Sequence, residues 1–179
     1  ATASATLGLQ DLHYLFKPLT MVLAVALVLR GGDSPPGPGA GAARLLAAAL
    51  VASLAGDVLL MLPVNAFIPG LASFLIAHLF YIALFRRAQA WSPSCAALLG
   101  TLGFGGAMLV WLWPGLADPA LKAAVSVYVL VICLMAAQAI GRATVLRDRC
   151  SVLVALGACV FMASDALIAV NRFVQPVPL

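Results

Sequence analysis

The chain contains no glutamate, and all six of its acidic residues are aspartates. Charged residues make up only 9% of its 179 residues, whereas hydrophobic residues make up 64%. A soluble domain carries roughly a quarter charged residues, and a soluble core of this size could not bury so much apolar surface. The composition therefore excludes a soluble globular domain and predicts a protein whose solvent is lipid.

Residues that bind metals, cofactors or nucleic acids are scarce. The two histidines, His13 and His78, form no i,i+4 pair, so we expect no metal centre and no cofactor. The four cysteines contain no CxxC pair, and three of them lie in apolar runs, which is typical of small buried hydrophobes. The net charge is +4, but no basic stripe with interleaved aromatic residues exists, so we expect no nucleic-acid partner.

Long apolar runs, by contrast, dominate the sequence. Six are long enough to cross a bilayer core as helices of about 20 residues, and segments rich in Gly and Pro separate several of them. They cover residues 13–30, 44–62, 68–85, 94–113, 120–141 and 150–170. The pattern predicts an all-α, polytopic transmembrane helix bundle that forms a single domain over residues 1–179, with a flexible loop at 31–43 and with both ends trimmed.

Basic residues are divided unevenly between alternate connections of these spans. One side carries seven arginines, and the other carries Lys17, Lys122 and Arg172. By the positive-inside rule the arginine-rich loops lie in the cytoplasm. We therefore expect an integral, multi-pass membrane protein, in the inner membrane if it is bacterial. The seven arginines are Arg30, Arg44, Arg86, Arg87, Arg142, Arg147 and Arg149.

Two aspartates, Asp57 and Asp165, lie inside apolar spans. A carboxylate in hydrocarbon is costly, so such residues usually mark functional sites. Each precedes the outer end of its span by about five residues, roughly 8 Å of helix, so we expect them at one depth. Their similar flanking sequences indicate one shared site, and a structural ion pair with Lys17 or Arg172 is the alternative.

Other polar residues accompany the two acids within the spans. His78 and Tyr81 lie one turn apart in the third span, and Tyr128 lies in the fifth. Lys17 opens the first span. Each has a structural alternative, namely a helix–helix hydrogen bond, an interfacial anchor or a snorkelling lysine.

Small residues recur at every fourth position in two spans. They are Ala48, Ala52 and Gly56 in the second span, and Ala96 and Gly100 in the fourth. Small residues let membrane helices approach closely, so both sets predict helix-packing faces.

Taken in order, these motifs resemble the YhhN-type lysoplasmalogenase family. The resemblance runs from about residue 16 to residue 176 and is carried by a series of short motifs. They are Lys17-Pro18-Leu19-Thr20, Gly56-Asp57-Val58-Leu59-Leu60-Met61, Phe67-x-x-Gly70-Leu71-x-x-Phe74-x-x-x-His78-x-x-Tyr81, then Tyr128, Met135, Gly157-Ala158-x-x-Phe161-x-x-Ser164-Asp165 and Asn171-Arg172-Phe173.

This resemblance implies a multi-pass membrane enzyme of eight helices, two of which would lie beyond the ends of this sequence. It implies hydrolysis of the vinyl ether bond of a lysoplasmalogen, a membrane lipid, to a fatty aldehyde and a glycerophospho-alcohol. Asp57 and Asp165 correspond to the presumed catalytic pair. Residues expected to bind substrate or support the pair are Lys17, His78, Tyr81, Tyr128, Asn171 and Arg172.

Two buried carboxyl groups suit this reaction. Protonation of the β-carbon of a vinyl ether leaves an oxocarbenium ion, so one carboxyl group can donate the proton while the other stabilises the cation or activates water. The sequence does not assign the two roles, and we expect the carboxyl groups within about 10 Å of each other. The alternative function is a proton-coupled transporter or a lipid-binding membrane protein that uses the same acids.

Overall fold

The computed structural model describes residues 22–28, 30, 40–62, 66–88, 91 and 94–174. All regular secondary structure in these ranges is helical, which confirms the predicted all-α fold. Residues 22–28 and 30 belong to α1. The following helices are α2 (Ala40–Met61), α3 (Phe67–Ala88), α4 (Cys95–Leu112), the short 3₁₀ helix η1 (Trp113–Gly115), α5 (Pro119–Leu146) and α6 (Arg149–Phe173).

Five of these helices, α2 to α6, are long and apolar enough to cross a membrane, judged by length and composition. Large hydrophobic side chains such as Leu99, Val110 and Val160 are exposed on them, as expected of helices that face lipid. The protein is thus an integral, multi-pass membrane protein. Most of the predicted first span lies outside the described residues, and the single-domain organisation stays a prediction.

The loop expected at residues 31–43 ends earlier than the sequence suggested. Residues 40–43 form the first turn of α2, so this part of the loop prediction is wrong. Three of these four residues are alanine, the best helix former, and this explains the early start. Residues 31–39 lie outside the described residues.

The chain divides into two compact units, one comprising residues 1–80 and the other residues 81–179. The boundary falls within α3. In the first unit α2 and α3 approach closely, because a Cβ atom added at Gly56 would lie 2.6 Å from Cδ2 of Phe74. The Ser73 hydroxyl donates a hydrogen bond of 2.8 Å to the carbonyl oxygen of Ala52. Ala52 and Gly56 therefore lie in a packing face, as predicted.

In the second unit α5 packs against both α4 and α6. A Cβ atom added at Gly105 of α4 would lie 2.9 Å from Cγ1 of Val129 on α5. The Cys133 thiol of α5 donates to the carbonyl oxygen of Thr101 at 3.1 Å. Thr101 and Gly105 thus mark the side of α4 that faces α5.

The packing face predicted at Ala96 and Gly100 is wrong. Both residues are exposed among the described residues, and a Cβ atom added at Gly100 would meet nothing within 4 Å. Successive helical residues point about 100° apart, so Gly100 points away from the side that carries Thr101 and Gly105. Spacing identifies a stripe of small residues but not the side on which a neighbour lies.

Only Arg147 and Asp148 connect α5 to α6. Arg147 ends α5 in the left-handed conformation, with φ of 54°, and its N–H donates to the carbonyl oxygen of Ala143. The Asp148 carboxylate caps α6 by accepting from the N–H of Ser151 at 2.9 Å. So short a connection makes α5 and α6 antiparallel neighbours.

Candidate functional site

Asp57 is a buried carboxyl group in the first unit. It is 6% exposed and lies four residues before the end of α2. Ser53, 1% exposed, precedes it by one helical turn, so the two side chains leave α2 on the same side. Their spacing was visible in the sequence, but a lone serine in an apolar run gave no reason to select Ser53.

The Ser53 hydroxyl is buried and has no hydrogen-bond partner among the described residues. A buried hydroxyl without a partner costs about 1–3 kcal/mol. Its position beside Asp57 makes it a candidate group for holding a water molecule or a polar substrate atom.

His78 is the other buried polar side chain predicted for this unit, and it is 1% exposed. Its Nδ1 donates to the carbonyl oxygen of Phe74, one turn earlier, at 2.5 Å. In a neutral ring of this tautomer, Nε2 is the accepting nitrogen. The ring of Phe74 also packs on Gly56, the residue before Asp57. Phe74 therefore contacts α2 next to Asp57 through its ring and orients His78 through its backbone carbonyl group.

Asp165 of α6 is bound by Tyr128 of α5 in the second unit. The Tyr128 hydroxyl donates a hydrogen bond to Oδ2 of Asp165. Tyr128 is 7% exposed, and Asp165 is half-buried. Sequence reasoning selected both residues but gave no means of pairing them, because they lie on different helices.

The remaining predicted residues of the second unit occupy two places. Tyr81 of α3 is half-buried and stacks on Phe85, with ring centroids 6.2 Å apart. Asn171 and Arg172 are exposed near the end of α6, where the Arg172 guanidinium lies 6.0 Å from the centroid of the Phe173 ring. Lys17 lies outside the described residues.

The site residues are thus grouped within two units. Asp57 and His78 belong to the first unit, whereas Tyr128, Asp165 and Arg172 belong to the second. The separation of the two carboxyl groups, and a pocket shared by them, stay predictions. Their common depth also stays a prediction; Asp165 lies eight residues before the end of α6. In the described ranges no group of three or more His, Cys, Asp or Glu side chains could hold a metal ion.

These features first define a class, the polytopic α-helical membrane proteins with carboxyl groups inside their spans. Within that class, the chain matches a known family. The model of the YhhN family matches residues 12–179, and the chain therefore belongs to the YhhN family.

Curated relatives carry the name lysoplasmalogenase. The chain is 36% identical to the lysoplasmalogenase of Mycobacterium bovis over 137 residues, which cover 73% of this chain and 51% of that protein. It is 32% identical to lysoplasmalogenase TMEM86B of Sus scrofa over 159 residues, 88% of this chain and 62% of the relative. The human TMEM86B is 31% identical over 149 residues, 79% of this chain and 57% of the relative. The chain thus spans between about half and three-fifths of their length, and no solved structure matches it.

Proposed function

We propose that the protein is an integral-membrane ether hydrolase of the lysoplasmalogenase type, with Asp57 and Asp165 as its catalytic pair. Membership of the YhhN family and the names of its relatives support the reaction class. The observation that carries the catalytic assignment is the hydrogen bond from Tyr128 to Asp165, because it shows one intramembrane acid held in a defined orientation. The substrate is a lysoplasmalogen, whose alkenyl chain would lie among the apolar helices.

The proposed reaction adds one water molecule across the vinyl ether. A carboxyl group donates its proton to the β-carbon, and the double-bond electrons form the new C–H bond, which leaves an oxocarbenium ion. Water attacks the α-carbon and returns a proton to a carboxylate, giving a hemiacetal. Cleavage of the C–O bond then releases the fatty aldehyde and the glycerophospho-alcohol, so neither a cofactor nor an oxidant is consumed.

The hydrogen bonds suggest how the two acids divide this work. Asp165 accepts from Tyr128, and an accepting carboxylate is suited to stabilise the oxocarbenium ion. Asp57, the more buried of the two, is then assigned as the proton donor. A proton donor in a dry environment is the arrangement that two-carboxylate glycosidases use for a similar cation.

The other polar groups receive supporting roles in this proposal. Nε2 of His78 and the hydroxyl of Ser53 are assigned to orient the attacking water in the first unit. Tyr81 and Asn171 are assigned to contacts with the substrate. Arg172, together with Lys17, would bind the phosphate of the lipid.

Aspartate-to-asparagine variants test the catalytic assignment. Purified protein is incubated with a lysoplasmalogen and with a saturated lysophospholipid of equal chain length, and aldehyde is measured. The wild type should release aldehyde from the first lipid alone, while Asp57→Asn and Asp165→Asn should reduce the rate by at least a thousandfold, as loss of a catalytic carboxyl group does. Asp118→Asn is the matched control, because Asp118 is exposed outside the spans and should keep full activity.

The same aldehyde assay also distinguishes a hydrolase from a proton-coupled transporter. A proton-coupled carrier would give solute flux in liposomes and no aldehyde from any lipid. Full aldehyde release by either Asp57→Asn or Asp165→Asn would overturn the catalytic pair even if the reaction class held.

A further inference from the structure

In the second unit η1 lies against the last residue of α6 and beside the first turn of α5, which carries a lysine that the proposed reaction has not used. The ammonium of Lys122, on the first turn of α5, lies 4.9 Å from the centroid of the Trp113 ring in η1. Trp113 thus holds the ammonium through a cation–π contact without neutralising its charge. The side chain of Lys122 is therefore directed towards η1.

The same 3₁₀ helix packs against the end of α6. A Cβ atom added at Gly115 would lie 2.9 Å from the backbone carbonyl carbon of Phe173 and closer still to its oxygen. Phe173 directly follows Arg172, so η1 brings the Lys122 side chain and the Arg172 position to one end of the unit. Asp118, the acid nearest along α5, already caps that helix by accepting from the N–H of Ala120 at 3.3 Å.

Both cations are displaced from the Tyr128–Asp165 pair by a similar distance along their helices. Lys122 precedes Tyr128 by six residues on α5, which corresponds to about 9 Å along the helix and about 120° around it, so its side chain reaches this level from the side of η1. Arg172 follows Asp165 by seven residues on α6, which corresponds to about 10 Å and returns to nearly the same side of the helix. Because α5 and α6 are antiparallel, the two displacements point the same way.

The spacing between the Tyr128–Asp165 pair and the two cations is similar to the distance from the vinyl ether to the phosphate in a lysoplasmalogen. The atom assigned to Asp165 is the α-carbon of the oxocarbenium ion. In a lysoplasmalogen six bonds separate this carbon from the phosphorus atom, and an extended chain of that length spans roughly 7 Å at about 1.2 Å per bond. A vinyl ether held beside Asp165 therefore places its phosphate at the level of Lys122 and Arg172. We infer that Lys122, positioned by Trp113, binds the phosphate of the lysolipid together with Arg172 and so selects phospholipids over neutral glycerol ethers.

The inference rests on the proposed function for the identity of the lipid, but its test does not require turnover. Binding to the detergent-solubilised full chain is measured for a saturated 1-alkyl-glycerophosphoethanolamine and for the 1-alkylglycerol of equal chain length. Neither lipid has a vinyl ether, so neither is cleaved. The wild type should bind the phospholipid at least tenfold more tightly, and Lys122→Met should remove about tenfold of that preference while its affinity for the alkylglycerol stays the same.

Two further variants complete the comparison. Lys122→Arg should restore most of the preference, because a guanidinium also binds phosphate. Arg149→Gln, an exposed cation at the opposite end of α6, should leave both affinities unchanged. Inorganic phosphate should not displace the phospholipid. Displacement would indicate that Lys122 and Arg172 form a site for free phosphate rather than for a lipid headgroup.

Several results would overturn the inference. The inference is overturned when Lys122→Met keeps the wild-type preference for the phospholipid. It is also overturned when Lys122→Met loses affinity for both lipids equally, because that loss would indicate a purely structural lysine. A protein that shows the lysine-dependent preference but releases no aldehyde from a lysoplasmalogen would overturn the hydrolysis alone. A protein that hydrolyses lysoplasmalogen with unchanged KM in Lys122→Met would overturn the phosphate site alone.

Discussion

At the scale of single residues, the hydrogen bond between Tyr128 and Asp165 is the most informative contact in the second unit. It joins two helices and fixes one carboxylate oxygen of Asp165. Residues of this kind affect both the packing of the helices and the chemistry, so their variants must be measured for stability and for turnover separately.

We expect Tyr128→Phe to lower kcat by about tenfold or more, because a hydrogen bond to a charged group contributes about 1.5–3 kcal/mol. The cost in stability should be smaller, since interhelical hydrogen bonds in membranes average about 0.6 kcal/mol. Aldehyde release and thermal unfolding in detergent measure the two effects.

Cys133→Ala is the matched control for this variant. It also removes a buried interhelical hydrogen bond of α5, but on the side facing α4. It should lower the melting temperature and spare kcat. Equal kcat in Tyr128→Phe and the wild type would restrict Tyr128 to a structural role.

Residue types in the apolar spans were sufficient to select Asp57, Asp165 and Tyr128 from the sequence, because polar groups are costly in lipid. Their partners were not predictable. The Tyr128–Asp165 bond depends on the rotation of two helices about their axes, which no spacing within one helix reveals. Ser53 was missed for a related reason, because only burial distinguishes its hydroxyl from those of other serines in helices.

At the scale of helices, close packing of α2 on α3 depends on Gly56. We expect Gly56→Ala to lower the free energy of unfolding by about 1–3 kcal/mol, because the new methyl group overlaps the buried Phe74 ring. Gly100→Ala has open space around the new Cβ and should raise stability by about 0.5–1 kcal/mol, the usual gain of alanine over glycine within a helix. Thermal unfolding measures both variants. If the free energy of unfolding changed by the same amount and in the same direction in both, the proposed packing of α2 on α3 would be contradicted.

The cap of α6 makes stability depend on pH. Two hydrogen bonds from Ser151, one from its hydroxyl at 2.6 Å and one from its N–H, hold the pKa of Asp148 below its ordinary value of 3.8. Because the folded pKa is the lower one, the stabilisation is complete above the unfolded pKa and is lost as the pH falls through the folded pKa. Between about pH 5 and about pH 3 the melting temperature of the wild type should therefore fall more steeply than that of Asp148→Asn, whose amide caps the helix without titrating.

A second variant keeps this pH prediction specific. Ser151→Ala removes the hydroxyl that contributes most to the lowered pKa of Asp148, so its pH dependence should lie between those of the wild type and Asp148→Asn. Parallel melting curves for all three proteins would contradict a titrating cap.

Most helix ends were predicted to within three residues. α3 was expected at 68–85 and spans Phe67–Ala88, and α6 was expected at 150–170 and spans Arg149–Phe173. The largest error concerned the end of α5, which was expected at residue 141 and lies at Leu146. The next largest concerned residues 40–43, where glycine suggested a loop but the surrounding alanines continue the helix. Hydropathy marks the part of a helix inside the membrane, and helices extend beyond that part until a cap ends them.

At the scale of the whole molecule, the orientation in the membrane is a prediction that two natural cysteines can test. Cys95 and Cys150 are exposed at the starts of α4 and α6, next to the arginine-rich connections. If these loops are cytoplasmic, an impermeant thiol reagent should not label either cysteine in intact cells and should label both after permeabilisation.

Ala117→Cys provides the opposite control. Ala117 is exposed in the connection between η1 and α5, on the side predicted to face outward. In a background with Cys95 and Cys150 replaced by alanine, it should react in intact cells without permeabilisation. Labelling of Cys150 in intact cells would reverse the proposed orientation.

The two-residue connection at Arg147 and Asp148 has a consequence for biosynthesis. A connection this short cannot leave one helix in the bilayer and the other in water, so α5 and α6 must enter the membrane as a helical hairpin. During that step the Tyr128 hydroxyl accompanies Asp165 into the hydrocarbon and already satisfies one of its oxygens. The hydrogen bond assigned above to catalysis therefore also lowers the cost of inserting an acidic helix, and it links correct assembly of the hairpin to formation of half of the proposed active site.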